Sequence, residues 1–203
     1  MKPAPQLLQR VLSESEFEAE TFADQNWSGA ELRDKTFTRC LFRNLTALEA
    51  TFEGALVEDC RFEGSDLSMI KVKGASFRSA EFEHCKLMGI DWSGVRGLTF
   101  AVSFDSCVLS YSSFIDQRMR KTQFRKCKAH ETNFAGVDLT GSNFAGSDLE
   151  GARFVGTNLT EVDLATAENY VINPSDNTLR KTRYSMEAAL ALVSRLGVIV
   201  DSG

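Results

Sequence analysis

Over most of this chain every fifth residue is a large apolar side chain. The series runs Phe17, Phe22, Trp27, Leu32, Phe37 and Phe42, passes a weak step at Ala47, and continues through Phe52, Val57, Phe62, Leu67, Val72, Phe77, Phe82, Leu87 and Trp92. A two-residue slip within residues 93–103 shifts the frame, and Phe104, Leu109, Phe114, Met119 and Phe124 then restore the same spacing. Beyond Ala129 it holds through Phe134, Leu139, Phe144, Leu149, Phe154, Leu159 and Leu164. An α-helix repeats every 3.6 residues and a strand every 2, so neither keeps every fifth residue on one side over such a length. A chain that turns a corner every five residues does, and the pattern predicts a solenoid with these centres pointing inward.

Two residues before most centres stands a small side chain, as at Ala30, Ala75, Ser142, Ser147 and Ala152, which predicts a second inward position in a narrow interior. Two residues after a centre, glycine recurs (Gly54, Gly64, Gly136, Gly141, Gly146), as a tight corner with positive φ requires. All five cysteines, Cys40, Cys60, Cys85, Cys107 and Cys127, occupy the small inward position. Their number is odd and no CxxC pair occurs, so the expectation is buried free thiols rather than disulfides or a metal centre.

The unit that these positions spell, A(D/N)LXX, is plainest in GVDLTGSNFAGSDLEGARFVGTNLTEVDL and resembles the pentapeptide-repeat family from about residue 15 to residue 166. The resemblance implies an all-β solenoid, a right-handed quadrilateral β-helix, with residues 1–14 as an N-terminal cap, 15–166 as the β-helix with a short irregularity at 93–103, and 167–203 as a closing coil and C-terminal helix. In that last segment, SMEAALALVSRLG offers Ser185 as N-cap, an apolar stripe at helical spacing, and Gly197 as stop. The ending LVSRLGVIV resembles that of the quinolone-resistance (Qnr-type), microcin-immunity and albicidin-resistance members, where this region joins two copies. The resemblance therefore implies a homodimer, with Met186, Leu190, Val193, Leu196, Val198 and Ile199 at the joint.

The formal net charge is −5, from 23 Lys and Arg against 28 Asp and Glu, which speaks against binding nucleic acid directly through phosphate neutralisation. Acids concentrate late in the chain, at Asp138, Asp148, Glu150, Glu161 and Asp163, and form the candidate partner-binding surface. A basic belt, Arg118, Arg120, Lys121, Arg125, Lys126 and Lys128, precedes them and offers a contact for an acidic partner. Both histidines, His84 and His130, fall at outward corners and are expected to be solvated. No residue set outside the repeat assembles a catalytic triad, a phosphate loop or a metal motif, so no enzymatic activity, cofactor or metal is expected.

No apolar run is long enough for a secretory signal or a membrane span, and a cytoplasmic protein is expected. Family members of this kind bind DNA gyrase and related type II topoisomerases by imitating DNA. The resemblance implies that partner here, DNA gyrase or topoisomerase IV, with protection from quinolones or gyrase-targeting toxins. The alternative is a structural or protein-interaction scaffold with another protein partner.

Overall fold

The computed structural model describes residues 4–96, 101–195 and 197–199, with side chains from residue 7 onward. A helix, α1 (Ala4–Ser13), opens the chain. Short strands follow: β1 (Glu16–Glu18), β2 (Thr21–Ala23), β3 (Thr36–Thr38), β4 (Leu41–Arg43), β5 (Leu56–Glu58), β6 (Arg61–Glu63), β7 (Ser76–Glu83), β8 (Ala101–Asp105) and β9 (Gln123–Arg125). All pairings are parallel: β1, β3, β5 and the first half of β7 form one ladder, while β2, β4, β6, the second half of β7, β8 and β9 form the next. Isolated bridges complete the other faces, as in Asn26–Thr46–Asp66–Lys86–Val108–Lys128–Asp148–Glu168. Each step is 20 residues, four five-residue units, except the 22-residue step from Lys86 to Val108. The architecture is a parallel β-solenoid, and the extra two residues are absorbed beside a register shift between Arg78 and Ala80.

Why this sequence winds in this way is visible at each position of the unit. The centres are buried and stack one coil on the next. Phe22, Phe42, Phe62, Phe82, Phe104, Phe124 and Phe144 form a continuous pile with centroid separations from 4.4 to 5.4 Å. Hydroxyls and thiols at the small inward position add hydrogen bonds between coils. Ser147 Oγ donates to the Phe124 carbonyl at 2.6 Å and accepts from the Cys127 N–H at 2.9 Å. Ser142 does the same with Met119 and Thr122, so a side chain that is small for steric reasons also satisfies buried backbone groups. The five cysteines are buried and free; burial pushes the Cys127 thiol up to about 12. The corner two residues after a centre has positive φ even where glycine is absent, as at Tyr111 (64°) and Lys126 (51°).

Both ends are closed. Val11 of α1 is buried, and Leu7 and Leu8 pack against the first coil. Arg10 forks onto Glu20 at 2.8 and 2.7 Å, and buried Lys35 donates to the carbonyls of Leu12 and Glu14 at 3.1 and 2.5 Å. Glu20 and Lys35 occupy the small inward position of their units, so the repeat becomes polar where the helix end needs partners.

At the other end Asn169 and Pro174 take two places in the series of centres, and Leu179 and Tyr184 restore it. Thr182 Oγ1 donates to the Leu159 carbonyl at 2.7 Å, as the inward hydroxyls do farther back. Helix α2 (Met186–Arg195) starts at Ser185, whose Oγ accepts the Ala188 N–H, and stops at Gly197 (φ 77°). The N–H of Gly197 bonds to Ser194 O and that of Val198 to Val193 O, a helix terminus that glycine favours. No helix among the described residues is long and apolar enough to cross a membrane.

Candidate partner-binding surface

Because the interior is filled with side chains, chemistry is left to the outward positions. The three aspartates of the expected acidic surface belong first to the corners. Asp138 Oδ1 accepts the N–H of Thr140, Asp148 Oδ1 that of Glu150, and Asp163 Oδ1 that of Ala165. Such side-chain turns explain why Asp or Asn precedes so many centres. Their second oxygens meet bases from neighbouring coils: Asp138 pairs with Arg120 at 2.6 Å, Asp163 with Arg183 at 2.6 Å, and Asp148 with His130 at 2.6 Å. Glu161 lies 3.6 Å from Lys181. For Asp138, partial burial opposes ionisation, but the hydroxyl of Thr140 and the guanidinium of Arg120 outweigh it and hold the carboxyl low. The Asp148 carboxyl is held low chiefly by the Asn169 amide, with help from His130.

Nor do these acids share one face. The bridges place Asp138 in register with Arg118 and Asn158, Asp163 with Asn143 and Arg183, and Asp148 with Lys128 and Glu168. The last of these faces gathers further carboxylates. Glu168 pairs in register with Asp148, the Glu131 N–H donates to the Glu150 carbonyl at 2.9 Å, and Glu150 is 70% exposed. A groove of 490 Å³ bounded by Glu168, Asn169 and Tyr170 leads from this face to Glu187 and Ala188 of α2.

The basic belt is likewise spread around the coil. Arg118 precedes the inward Met119 and Arg120 and Lys121 follow it; Arg125 and Lys126 follow Phe124; Lys128 stands on the face of Asp148. Arg120 and Arg125 already face acids, Asp138 and Asp105.

His130 departs from expectation. It is not solvated, since only 20% of its side chain is exposed and Nε2 lies 2.6 Å from Asp148 Oδ2; His84, 67% exposed, is solvated as expected. Its partners come from the next coil, 18 and 20 residues away, a spacing that short metal or catalytic motifs do not contain.

Of the expected joint, Met186, Leu190, Val198 and Ile199 are exposed, Ile199 by 88%. Val193 is half-buried, and Leu196 lies outside the described residues, as do residues 97–100 of the irregularity. Ala188, Ala191 and Leu192 turn toward Tyr170, Ile172 and Tyr184 of the closing coil, so α2 covers the rod end with one side and leaves an apolar row on the other.

A family profile described as pentapeptide repeats matches in 8 copies over residues 55–94 and 130–165. A curated relative, the quinolone resistance pentapeptide repeat protein QnrB96 of Scandinavium goeteborgense, is 27% identical over 126 residues, 60% of this chain and 59% of the relative. The alignment thus spans less than two thirds of that relative's length. Among solved structures, a trypsin-treated form of QnrB1, described as a plasmid-mediated fluoroquinolone resistance protein, gives a TM-score of 0.62 at 22% identity over 92% of each chain. HetL, a pentapeptide repeat protein involved in heterocyst differentiation regulation in the cyanobacterium Nostoc sp., gives 0.61 at 14% identity over 90% of this chain and 94% of its own. At such identities the two structures establish the fold alone.

Proposed function

We propose that this chain, a Qnr-like pentapeptide-repeat protein, acts without catalysis as a rod-shaped homodimer. Its partner on this reading is DNA gyrase or topoisomerase IV, which it shields from quinolones or gyrase-targeting toxins. The match over 126 residues to a quinolone resistance protein carries this reading. The candidate contact surface is the acidic set Asp138, Asp148, Glu150, Glu161 and Asp163. The ion pairs shift its weight to the face of Asp148 and Glu150, where Glu131 and Glu168 add charge. A negative face of this kind attracts the basic DNA-binding surface of such an enzyme. The joint of the dimer is the outer row of α2, Met186, Leu190 and Val193, continued by Leu196, Val198 and Ile199, since an apolar row on a rod end suits two-fold pairing.

A supercoiling assay with purified gyrase, ciprofloxacin and this protein tests the proposal. Micromolar protein is expected to restore supercoiling that the drug inhibits, and the Leu190→Asp variant, monomeric by light scattering, to restore less. Absence of any effect on supercoiling or on drug inhibition would sink the reading. The belt Arg118, Arg120, Lys121, Arg125, Lys126 and Lys128 supports a second reading, a scaffold for a different, acidic protein partner, and capture of such a partner in place of gyrase would establish it.

A further inference from the structure

Among the described residues, the structure brings together one set of metal-ligating side chains. The carboxylates of Asp148 and Glu150 come from one coil and the imidazole of His130 from the coil before it. One donor atom from each lies within 4.8 Å of the others. The imidazole approaches Asp148 Oδ2 with Nε2 at 2.6 Å and Glu150 Oε2 with Nδ1 at 3.9 Å. It does not swing freely, because only 20% of the side chain is exposed. The Asp148 carboxylate is fixed as well, its Oδ1 held by the Glu150 N–H at 3.3 Å and the Asn169 amide at 2.8 Å. Glu150, 70% exposed, is the adjustable member.

We propose that His130, Asp148 and Glu150 form a binding site for a divalent transition-metal ion of the zinc class, joining two neighbouring coils of the solenoid. The donor set selects the ion. One imidazole and two carboxylates match the nitrogen and oxygen ligands of Zn²⁺, whose bonds of about 2.0–2.2 Å fit donors spaced a few ångströms apart in a tetrahedron completed by water. Mg²⁺ prefers oxygen ligands and keeps its waters, so a site with an imidazole disfavours it. Two carboxylates leave a net negative charge before the ion arrives, and Glu131 and Glu168 on the same face add to it, against Lys128 one coil back. On binding, the ion replaces the proton between His130 Nε2 and Asp148 Oδ2, and the coordinated imidazole is neutral with its one N–H at Nδ1, any excess proton passing to solvent. An inter-coil hydrogen bond thereby becomes a metal bridge, and three ligands from adjacent coils hold more tightly than any one alone.

Calorimetric titration of the untagged, chelator-treated protein with ZnCl₂ tests this, in parallel with the absorption spectrum of the Co²⁺ form. The expected result is about one ion per chain at a micromolar dissociation constant, a tetrahedral Co²⁺ spectrum, and a rise in melting temperature with Zn²⁺ that excess Mg²⁺ leaves unchanged. His130→Gln, Asp148→Asn and Glu150→Gln should each weaken binding roughly tenfold or more, the scale on which loss of a metal-site partner acts. Glu150→Gln keeps the fold whatever Asp148→Asn does, because its side chain points to solvent. No measurable binding, or equal binding by the wild type and the His130→Gln and Glu150→Gln variants, would overturn the proposal. The readout is independent of gyrase, so this site stands or falls apart from the topoisomerase reading.

Discussion

A single ring in the interior shows how the repeat stores stability. Phe124 is fully buried, lies on Phe144 at 4.6 Å and 4° and on Phe104 at 5.3 Å and 21°, and meets Phe114 and Phe134 edge-on. Replacing it with alanine empties a slot whose walls are held by the coils above and below, so the cavity collapses little. Phe124→Ala should lose about 3–5 kcal/mol in urea unfolding, against about 1 kcal/mol for Phe124→Leu. At the surface, Asp138 makes a different prediction. Its folded carboxyl titrates below the unfolded value of about 3.9, so it stabilises above that value and ceases to as pH falls through the depressed folded one. Asp138→Asn should therefore be less stable than wild type at pH 7, and the gap should close below about pH 4 when melting is followed across pH.

At the scale of elements, the ends differ from the middle because a coil without a neighbour exposes its rings. The N-terminal closure depends on Lys35, whose ammonium lies at the end of α1 on the Leu12 and Glu14 carbonyls. Lys35→Met keeps the volume of the stem and removes the charged donor from both carbonyls, at a cost of about 1–3 kcal/mol. Since each coil touches only its neighbours, the loss should stay local. Hydrogen exchange should quicken in α1 and around β1 and β3, while protection near Phe144 stays unchanged; uniform loss of protection would contradict a nearest-neighbour solenoid. Polar residues such as Glu20 and Lys35 were legible in the sequence only as breaks in the small-residue rule. Helix α1 left a weaker trace still, because its ten residues begin beside Pro3, include Pro5 and lack the five-residue period. The closing coil, expected from residue 167, masks its five-residue period for a related reason. Asn177 takes the inward position, donating to the Phe154 carbonyl at 2.9 Å and accepting the Thr157 N–H, so an amide performs there what serine or threonine does elsewhere.

For the whole molecule, the period told which residues face outward, and the 20-residue coil, interrupted by one step of 22, decides which outward residues meet. Counted along the chain, residues 131–168 look strongly acidic, with Arg153 as the one Lys or Arg, yet Asp163 meets Arg183 and Asp138 meets Arg120, bases that lie outside that run. What survives as a concentrated negative face is Glu131, Asp148, Glu150 and Glu168, a set invisible until the coils are stacked. If this face is the topoisomerase contact, charge must matter by position rather than by total. Reversing Glu131, Glu150 and Glu168 to lysine changes the formal charge by as much as reversing Glu16, Glu49 and Glu81, which stand exposed elsewhere on the rod. The first triple variant should lower gyrase affinity roughly ten- to a hundredfold at low salt, because like charges would then oppose a basic surface. The second should leave it within a few fold. Raising salt should weaken the wild type and bring the first variant closer to it, as screening removes the term that distinguishes them. Titrating fluorescently labelled protein with gyrase at two ionic strengths measures all of this, and equal losses in both variants would assign the binding to net charge and not to this face.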